Sequence, residues 1–511
     1  MSEEKQAVIV NVGVDIGTTQ IVATIMGVYD TEPKLINLTG RTAPMASAIY
    51  FAPDGTMLFG DQARRNAVTQ PERVIQLFKQ FIRTKKTWEI DGKTYSPADG
   101  YTLCLRRVNE ILQSMFPDAE FVYTVTVPAN YGTPERMLVR NASEAAGIFV
   151  SALINEPTAA ALHYYRNDSR LVGRTIGVVD LGGGTLDVTV MRAVNEDGQL
   201  DFEVLACKGV ESLGGERWTA EGVYRPMLER YCAEAGISPE QVKGDIRSDM
   251  TLRALAEECK IELSQGSTTT VIVLPIRPDV AVNFEMTQDE FERNTADLLS
   301  NVIDTFGQAV ASARERDADL VMPSDVILAG GASMMPQIAT GLVASFPDLE
   351  GRISIKDPFI AIASGASLYA TMGLKVRDRL TKSYGCIAID SRNDKERVFN
   401  HLVAGAEIPC SFERRYYTMA DGQRSILDRI IENVSEEPSL NPNSKGARCI
   451  GKMRLELPPD LPKGTPVDTV FSTDDGAILS VKSTCAGKEI STTIEIAPKL
   501  VDEKTADPFS L

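Results

Sequence analysis

Two stretches of the chain carry one pattern. Val14-Asp15-Ile16-Gly17-Thr18-Thr19 and Val179-Asp180-Leu181-Gly182-Gly183-Gly184-Thr185 each sit in an alternating apolar run, 165 residues apart. With Asp15 set on Asp180, Val14 falls on Val179, Gly17 on Gly182, Thr24 on Thr189 and Met26 on Met191. Period-two alternation on both sides of a glycine turn predicts strand, turn, strand over 7–26 and again over 175–191. A duplicated hairpin restricts the fold to two related lobes, each offering a carboxylate and a glycine-rich turn to a shared cleft.

A chain of 511 residues exceeds one ordinary domain and predicts about three units. Hydrophobic residues at 43% against 24% charged match a globular protein. A formal net charge of -17 repels phosphate backbones and anionic lipid, which argues against nucleic acid and membrane surfaces as partners. Met1-Ser2-Glu3-Glu4-Lys5 lacks the basic start and apolar core of a signal peptide, and no apolar run approaches the roughly 20 residues of a membrane span. A cytoplasmic location is the expectation. Eight cysteines without a CxxC pair read as reduced structural thiols. Two isolated histidines, His163 and His401, leave little room for a His-based metal site or a serine triad.

Between the hairpins the pattern predicts a strand over 121–127 closed by Pro128, and a helix over 134–146. Thr287 and Glu290 form a capping-box signature, followed by Phe291, Leu298, Val302, Phe306 and Val310 at helical spacing. A strand over 326–328 runs into Gly330-Gly331. Strands alternating with helices predict α/β lobes to about residue 375. Residues 373–383 are polar and basic, and short alternating runs with turn residues follow, which predicts an antiparallel β module. After Lys499 periodicity is lost and a loose tail is expected.

A glycine turn straight after a strand lets backbone N–H groups reach phosphate oxygens, and an Asp at its start can hold a hydrated Mg²⁺. One such turn is an ordinary hairpin more often than not; two in matched register favour phosphate binding. Ala329-Gly330-Gly331-Ala332-Ser333 is a third turn, placed to receive the nucleoside end or an anion.

These motifs resemble a known family. Asp15-Ile16-Gly17-Thr18-Thr19, Ile154-Asn155-Glu156-Pro157-Thr158, Asp180-Leu181-Gly182-Gly183-Gly184-Thr185 and Gly330-Gly331 look like the phosphate, connecting and adenosine motifs of the actin-like ATPase superfamily. With Arg41-Thr42-Ala43-Pro44 and Val127-Pro128-Ala129, their wording is similar to that of the seventy-kilodalton heat-shock chaperones. The resemblance implies a nucleotide-binding domain of two ribonuclease-H-like lobes over 1–374, a linker over 375–382, a small antiparallel β-sandwich for substrate over 383–498 and a flexible tail over 499–511. No helical lid is expected after the β domain.

Carried over by position, the resemblance implies ATP or ADP with Mg²⁺ as ligands. Asp15 and Asp180 would hold the metal through water, while Gly17, Thr18, Thr19, Gly182, Gly183 and Gly184 cradle the phosphates. Lys79 would place a charge beside the γ-phosphate, and Glu156, Asp180, Thr185 and Asp187 would orient or activate the attacking water. Gly214, Gly215, Glu216, Glu257, Lys260, Ser264, Gly330, Gly331 and Met334 would surround the nucleoside. Such a set is adequate for phosphoryl transfer, which needs mainly positioning and charge stabilisation. Pro128 and Arg136 match residues that couple nucleotide state to the second domain; their plainer reading is a strand end and a solvated helix residue.

Three departures qualify the resemblance. Ile261 and Met334 stand where the family clamps adenine with arginines, a loss of roughly 0.5–2 kcal/mol per stacking contact. The linker is basic where the family's is apolar, which weakens a docking switch. Without a lid, a bound peptide should leave quickly. Cys386, Ala388, Ile389, Met419 and Ile426 align with the family's peptide cleft, or are an ordinary sandwich core. The expected function is an ATP-hydrolysing chaperone-like protein that binds extended polypeptide, with co-chaperones or a nucleotide-exchange factor as possible partners. The rivals are a nucleotide-binding regulatory protein with slow or no hydrolysis and a small-molecule kinase of the same superfold.

Overall fold

The two repeated motifs fold as the same hairpin. In the first, strands Val8–Ile16 and Gln20–Gly27 pair with Val14 opposite Ala23 and Asp15 opposite Val22. In the second, Thr175–Leu181 and Thr185–Glu196 pair with Val179 opposite Val188 and Asp180 opposite Asp187. Even the bond closing the turn repeats: Gly17 N–H donates to the Gln20 carbonyl at 2.8 Å, and Gly182 N–H to that of Thr185 at 3.1 Å.

The computed structural model describes residues 8–27, 29–40, 44–165, 172–196, 199–277, 280–372, 376–390, 395–490, 492–496 and 507–509. Arg41, Thr42 and Ala43, the side chain of Ile389 and residue Lys375 lie outside what is described. Two compact units emerge, one formed by Met1–Ala129, Asn141–Lys375 and Val501–Leu511, the other by Asn130–Arg140 and Val376–Leu500. Among the described residues no helix is long and apolar enough to cross a membrane.

In the first unit each hairpin grows into a sheet by the same steps. Val8–Ile16 pairs in parallel with Ala119–Val127, and Thr175–Leu181 with Asp325–Ala329. Each added strand pairs in parallel with another, Val150–Asn155 in one sheet and Ile353–Ser354 in the other. Parallel pairs are expected where both faces are covered, and every residue of Thr175–Leu181 is buried. The expected helix is Thr133–Ala145. The Thr287–Glu290 capping box is present, but the helical run breaks into Gln288–Asn294 and Ala296–Arg316. The break lies at Thr295, whose hydroxyl bonds to the Phe291 carbonyl at 2.8 Å and accepts from Gln337 Nε2 at 3.1 Å. Such back-bonding competes with the helix ladder.

Helix Glu156–Tyr165, which begins at a site residue, packs on helix Ala361–Met372, and the latter also packs on strand Val8–Ile16. Glycine permits both contacts. A Cβ on Gly365 would fall 1.7 Å from the Ala159 carbonyl oxygen, and one on Gly13 would fall 2.1 Å from that of Ala363. The buried Thr24 hydroxyl adds a bond to the Ala363 carbonyl at 2.9 Å.

The second unit holds two antiparallel sheets around one core. One runs in the order Ser439–Leu440, Lys395–Leu402, Ser383–Asp390, Ser425–Asn433, Arg448–Glu456, Thr492–Ile496, and the other in the order Ser411–Tyr417, Pro466–Thr473, Leu479–Cys485, Lys488–Ile490. Tyr384, Cys386, Ile430 and Met453 from the first meet Val467, Phe471, Leu479 and Cys485 from the second. Two expectations differ from what is found here. Part of the polar linker is fastened to this unit: Leu380 is buried, its N–H donates to Ala406 at 2.9 Å, and Ile408 N–H donates to Asp378 at 2.9 Å. Arg136 is buried and not solvated, with its Nε donating to the Tyr131 carbonyl at 2.9 Å.

Gly365→Ala forces the Ala159 backbone to move, an overpacking that costs about 1–3 kcal/mol or more. Denaturant unfolding of the variant should show the first unit's transition at lower denaturant with the second unit's unchanged. An unshifted transition would show that the helix crossing is looser than its geometry.

Candidate functional site

The two turns face each other with no room to spare. A Cβ on Gly183 would lie 2.8 Å from Thr19 Cγ2, and one on Gly184 would lie 2.6 Å from Thr18 Oγ1. Gly214 is confined similarly, 2.6 Å from the Gly183 backbone. Gly215 N–H donates to the Gly182 carbonyl and Glu216 N–H to that of Gly183, both at 2.9 Å. A side chain at these positions would run into Thr18, Thr19 or the Gly183 backbone, so glycine fits them and leaves a rim of main chain open to a ligand.

A cavity of about 240 Å³ opens beside this rim. Its wall includes Asp15, Gly17, Thr18, Thr19, Lys79 and Glu156 from the first hairpin's side, with Asp180, Gly182, Gly183, Gly184 and Thr185 opposite. Gly215, Glu216, Glu257, Lys260, Ser264, Gly330, Gly331 and Met334 continue the wall. Asp187 and Gly214 stand behind it: Asp187 is buried opposite Asp180 in the ladder, and Gly214 backs the Gly183 turn.

Charge is concentrated at the deep end. Lys79 Nζ lies 2.8 Å from Glu156 Oε1, both side chains being buried. Lys79 rides on the short turn Phe78–Phe81, which starts after Leu77 in a left-handed conformation at φ 55°. A branched aliphatic residue is uncommon in that conformation, and Lys79 in the turn that follows it is buried. Asp15 Oδ1 accepts from Thr126 Oγ1 at 3.1 Å. Burial, and then the neighbouring Glu156, push the Asp15 carboxyl up to about 7 despite the opposing pull of Lys79. Burial likewise holds Asp180 well above the usual carboxylate range, reinforced by Glu156, Asp187 and Asp15. Carboxyls crowded around a single lysine in a dry site favour their charged forms only when a cation joins them. Among the described residues no three His, Cys, Asp or Glu side chains close on one point as a metal cage. The donor set fits a cation held through its water shell, with Asp15 and Asp180 as acceptors.

The part of the wall that carries Glu216, Glu257 and Lys260 has a different character. Glu216 is pushed up to about 7 by burial and then by Glu257. Glu257 is ion-paired with Arg64, and Lys260 Nζ donates to the Gly215 carbonyl at 3.0 Å. Beyond them the wall is apolar: Ile261 and Met334 are joined by Pro358, Phe359 and Ile362. Gly330 has φ 78°, and a Cβ on Gly331 would lie 2.9 Å from the Phe359 ring. Sequence reasoning missed Arg64, Thr126 and Phe359. Arg64 meets Glu257 across 193 residues of chain, and no local spacing marks it. Asp357-Pro358-Phe359 ahead of the helix Ala361–Met372 was a visible but weak signal. Of the proposed cleft residues in the second unit, Cys386 is in the core, Ile426 packs against it, Met419 is 77% exposed, and Ala388 lines a cavity of about 350 Å³ with Leu427 and Asp428.

The raised Asp15 carboxyl sets a pH dependence. Its ordinary value of 3.8 applies to the unfolded chain and about 7 to the folded one, so the folded state holds the proton more tightly. Ligand-free stability from this group is present at low pH and lost as pH rises from about 4 to about 7. Asp15→Asn should flatten that decline in denaturant titrations across the window. An unchanged slope would mean that Asp15 is already ionised in the folded chain.

The family model described as Hsp70 protein matches residues 83–507, a span that takes in Glu156, both glycines of the third turn and the whole of the second unit. By that match the chain belongs to the Hsp70 family of ATP-binding molecular chaperones.

Proposed function

We propose that this chain binds and hydrolyses ATP between two ribonuclease-H-like lobes of an actin-like domain and holds extended polypeptide in its β unit. The observation that carries the reading is the meeting of two glycine turns with the buried Lys79–Glu156 pair and two raised aspartates in one cavity. Backbone N–H groups of the turns bind and orient phosphate oxygens, Thr18 and Thr19 adding hydroxyls. Lys79 supplies positive charge where negative charge accumulates in transfer, and Glu156 fixes its position. Glu156, Asp180, Asp187 and Thr185 orient the water that attacks phosphorus and accept its proton. Mg²⁺, when bound through water at Asp15 and Asp180, adds charge neutralisation across the phosphates. At the other end Ile261, Met334 and Phe359 bury the base by apolar contact, a grip less selective for adenine than a pair of arginines.

Residues 383–496 are strands and turns, with no helix among the described residues beyond Met372. Exposed Met419, Leu427 and Tyr417 supply apolar surface on this unit.

Lys79→Ala should lower phosphate release by on the order of 10²- to 10³-fold, while calorimetry still detects Mg-ADP. Turnover at the parental rate would remove Lys79 from the reaction. Release of a fluorescent hydrophobic peptide should differ between Mg-ATP, Mg-ADP and nucleotide-free chain. Equal rates in all three would leave a nucleotide-binding protein without coupling, and phosphate transfer to a metabolite without peptide binding would make it a kinase.

A further inference from the structure

The loose tail expected after Lys499 is not what Asp507–Phe509 forms. Phe509 is 2% exposed and belongs to the main core of the first unit. Its ring meets Tyr224 edge to face at 5.1 Å, and the Arg253 guanidinium lies 4.4 Å above it. Asp507 accepts from Arg253 through Nη1 at 3.3 Å and Nη2 at 3.5 Å. It also caps its own turn, accepting from Phe509 N–H at 3.0 Å. The seat is itself braced: Arg253 Nε donates to Asp249 Oδ2 at 2.8 Å, and the Tyr224 hydroxyl donates to the same carboxylate.

Three residues thus carry two anchors, a carboxylate on a guanidinium and an aromatic ring in an apolar slot. That is how a short peptide ligand is recognised, by a buried aromatic and a paired charge. The segment makes no strand ladder or helix with the unit that receives it. A ligand tethered in this way meets its seat at an effective concentration that reaches the millimolar range, so modest contacts keep it seated while leaving it exchangeable.

The seat adjoins the nucleotide cavity. Arg253, Glu257, Lys260 and Ser264 follow at four-, three- and four-residue steps on the helix Ile246–Ser264, which places them on one face. A small cavity of about 70 Å³ bounded by Phe509 and Arg253 has Thr18, Thr19, Glu216 and Glu257 in common with the larger one. A single helix therefore carries the peptide anchor at one end and nucleoside contacts at the other.

We propose that the pocket formed by Tyr224 and Arg253 is a binding site for an Asp-Pro-Phe peptide, filled in cis by Asp507–Phe509, and that its occupancy braces the helix Ile246–Ser264 and slows nucleotide release. The second half rests on the nucleotide reading above; the first does not. In a full-length chain carrying Asp507→Ala and Phe509→Ala, a fluorescent peptide of residues 503–511 binds saturably. The peptide binds the unaltered chain far more weakly, because the seat is filled, and adding Arg253→Ala to the double variant abolishes binding. No saturable binding to the vacated chain, or binding indifferent to Arg253, overturns the site. If the double variant fails to fold, Asp507→Asn alone keeps the ring and removes the charge; the peptide then gains access to its seat, and unchanged access overturns the proposal. Release of fluorescent Mg-ADP from the vacated chain should be faster by on the order of 5-fold or more, and added peptide should restore the slow rate. Peptide binding without a change in ADP release overturns the bracing, and failure to bind nucleotide at all overturns the nucleotide reading while leaving the peptide site standing.

Discussion

The buried pair of Lys79 and Glu156, set among Asp15, Asp180 and Asp187, is the interaction around which the first unit is arranged. Burying one lysine with several carboxyls is costly, and the raised Asp15 and Asp180 carboxyls record that cost. Such an arrangement persists only where the surrounding structure enforces it. Here the enforcement is visible in the close approach of Gly365 to Ala159, which fixes the helix starting at Glu156, and in the left-handed Leu77, which aims Lys79. A hydrated cation beside these carboxyls would favour their charged forms, which is the support the electrostatics give to the proposed metal role of Asp15 and Asp180.

Duplication explains why much of this was legible in the sequence. The offset that aligns Asp15 with Asp180 also aligns the returning strands, so the hairpin register, the turn bond and the parallel neighbour recur together. The glycines were legible for a physical reason, since Gly183, Gly184 and Gly214 sit where backbone meets side chain or backbone. The features that local sequence does not mark depend on contacts distant in sequence. The Arg64 partner of Glu257, the Phe359 ring against Gly331 and the burial of Arg136 leave no trace in local periodicity. Thr295 breaks a helix whose apolar spacing runs on unbroken, because its hydroxyl bonds back to the Phe291 carbonyl and is held by Gln337. The segment Asp507–Phe509 looked aperiodic because two anchors in three residues have no period.

The family match and the site bear on different questions. Membership in the Hsp70 family places the chain among ATP-binding chaperones. Its own residues suggest how it departs from them, with an apolar grip where Ile261 and Met334 stand, and a segment seated on Arg253 one helical turn before Glu257. On the proposed reading both departures lie at the nucleoside end, away from the residues assigned to the phosphates. Rates of nucleotide exchange, more than the chemistry itself, are where this chain should differ from its relatives.

The proposed role of the acidic cluster is to receive a cation together with its phosphates. Counting protons on binding tests it most directly, by titrating Mg-ADP calorimetrically near neutral pH in buffers of different ionisation enthalpy. Asp15, held up to about 7 chiefly by burial, and Asp180, raised in the same direction, give up protons when a cation arrives, so net proton release is the expected result. Binding with no proton release, or with uptake, would contradict the account.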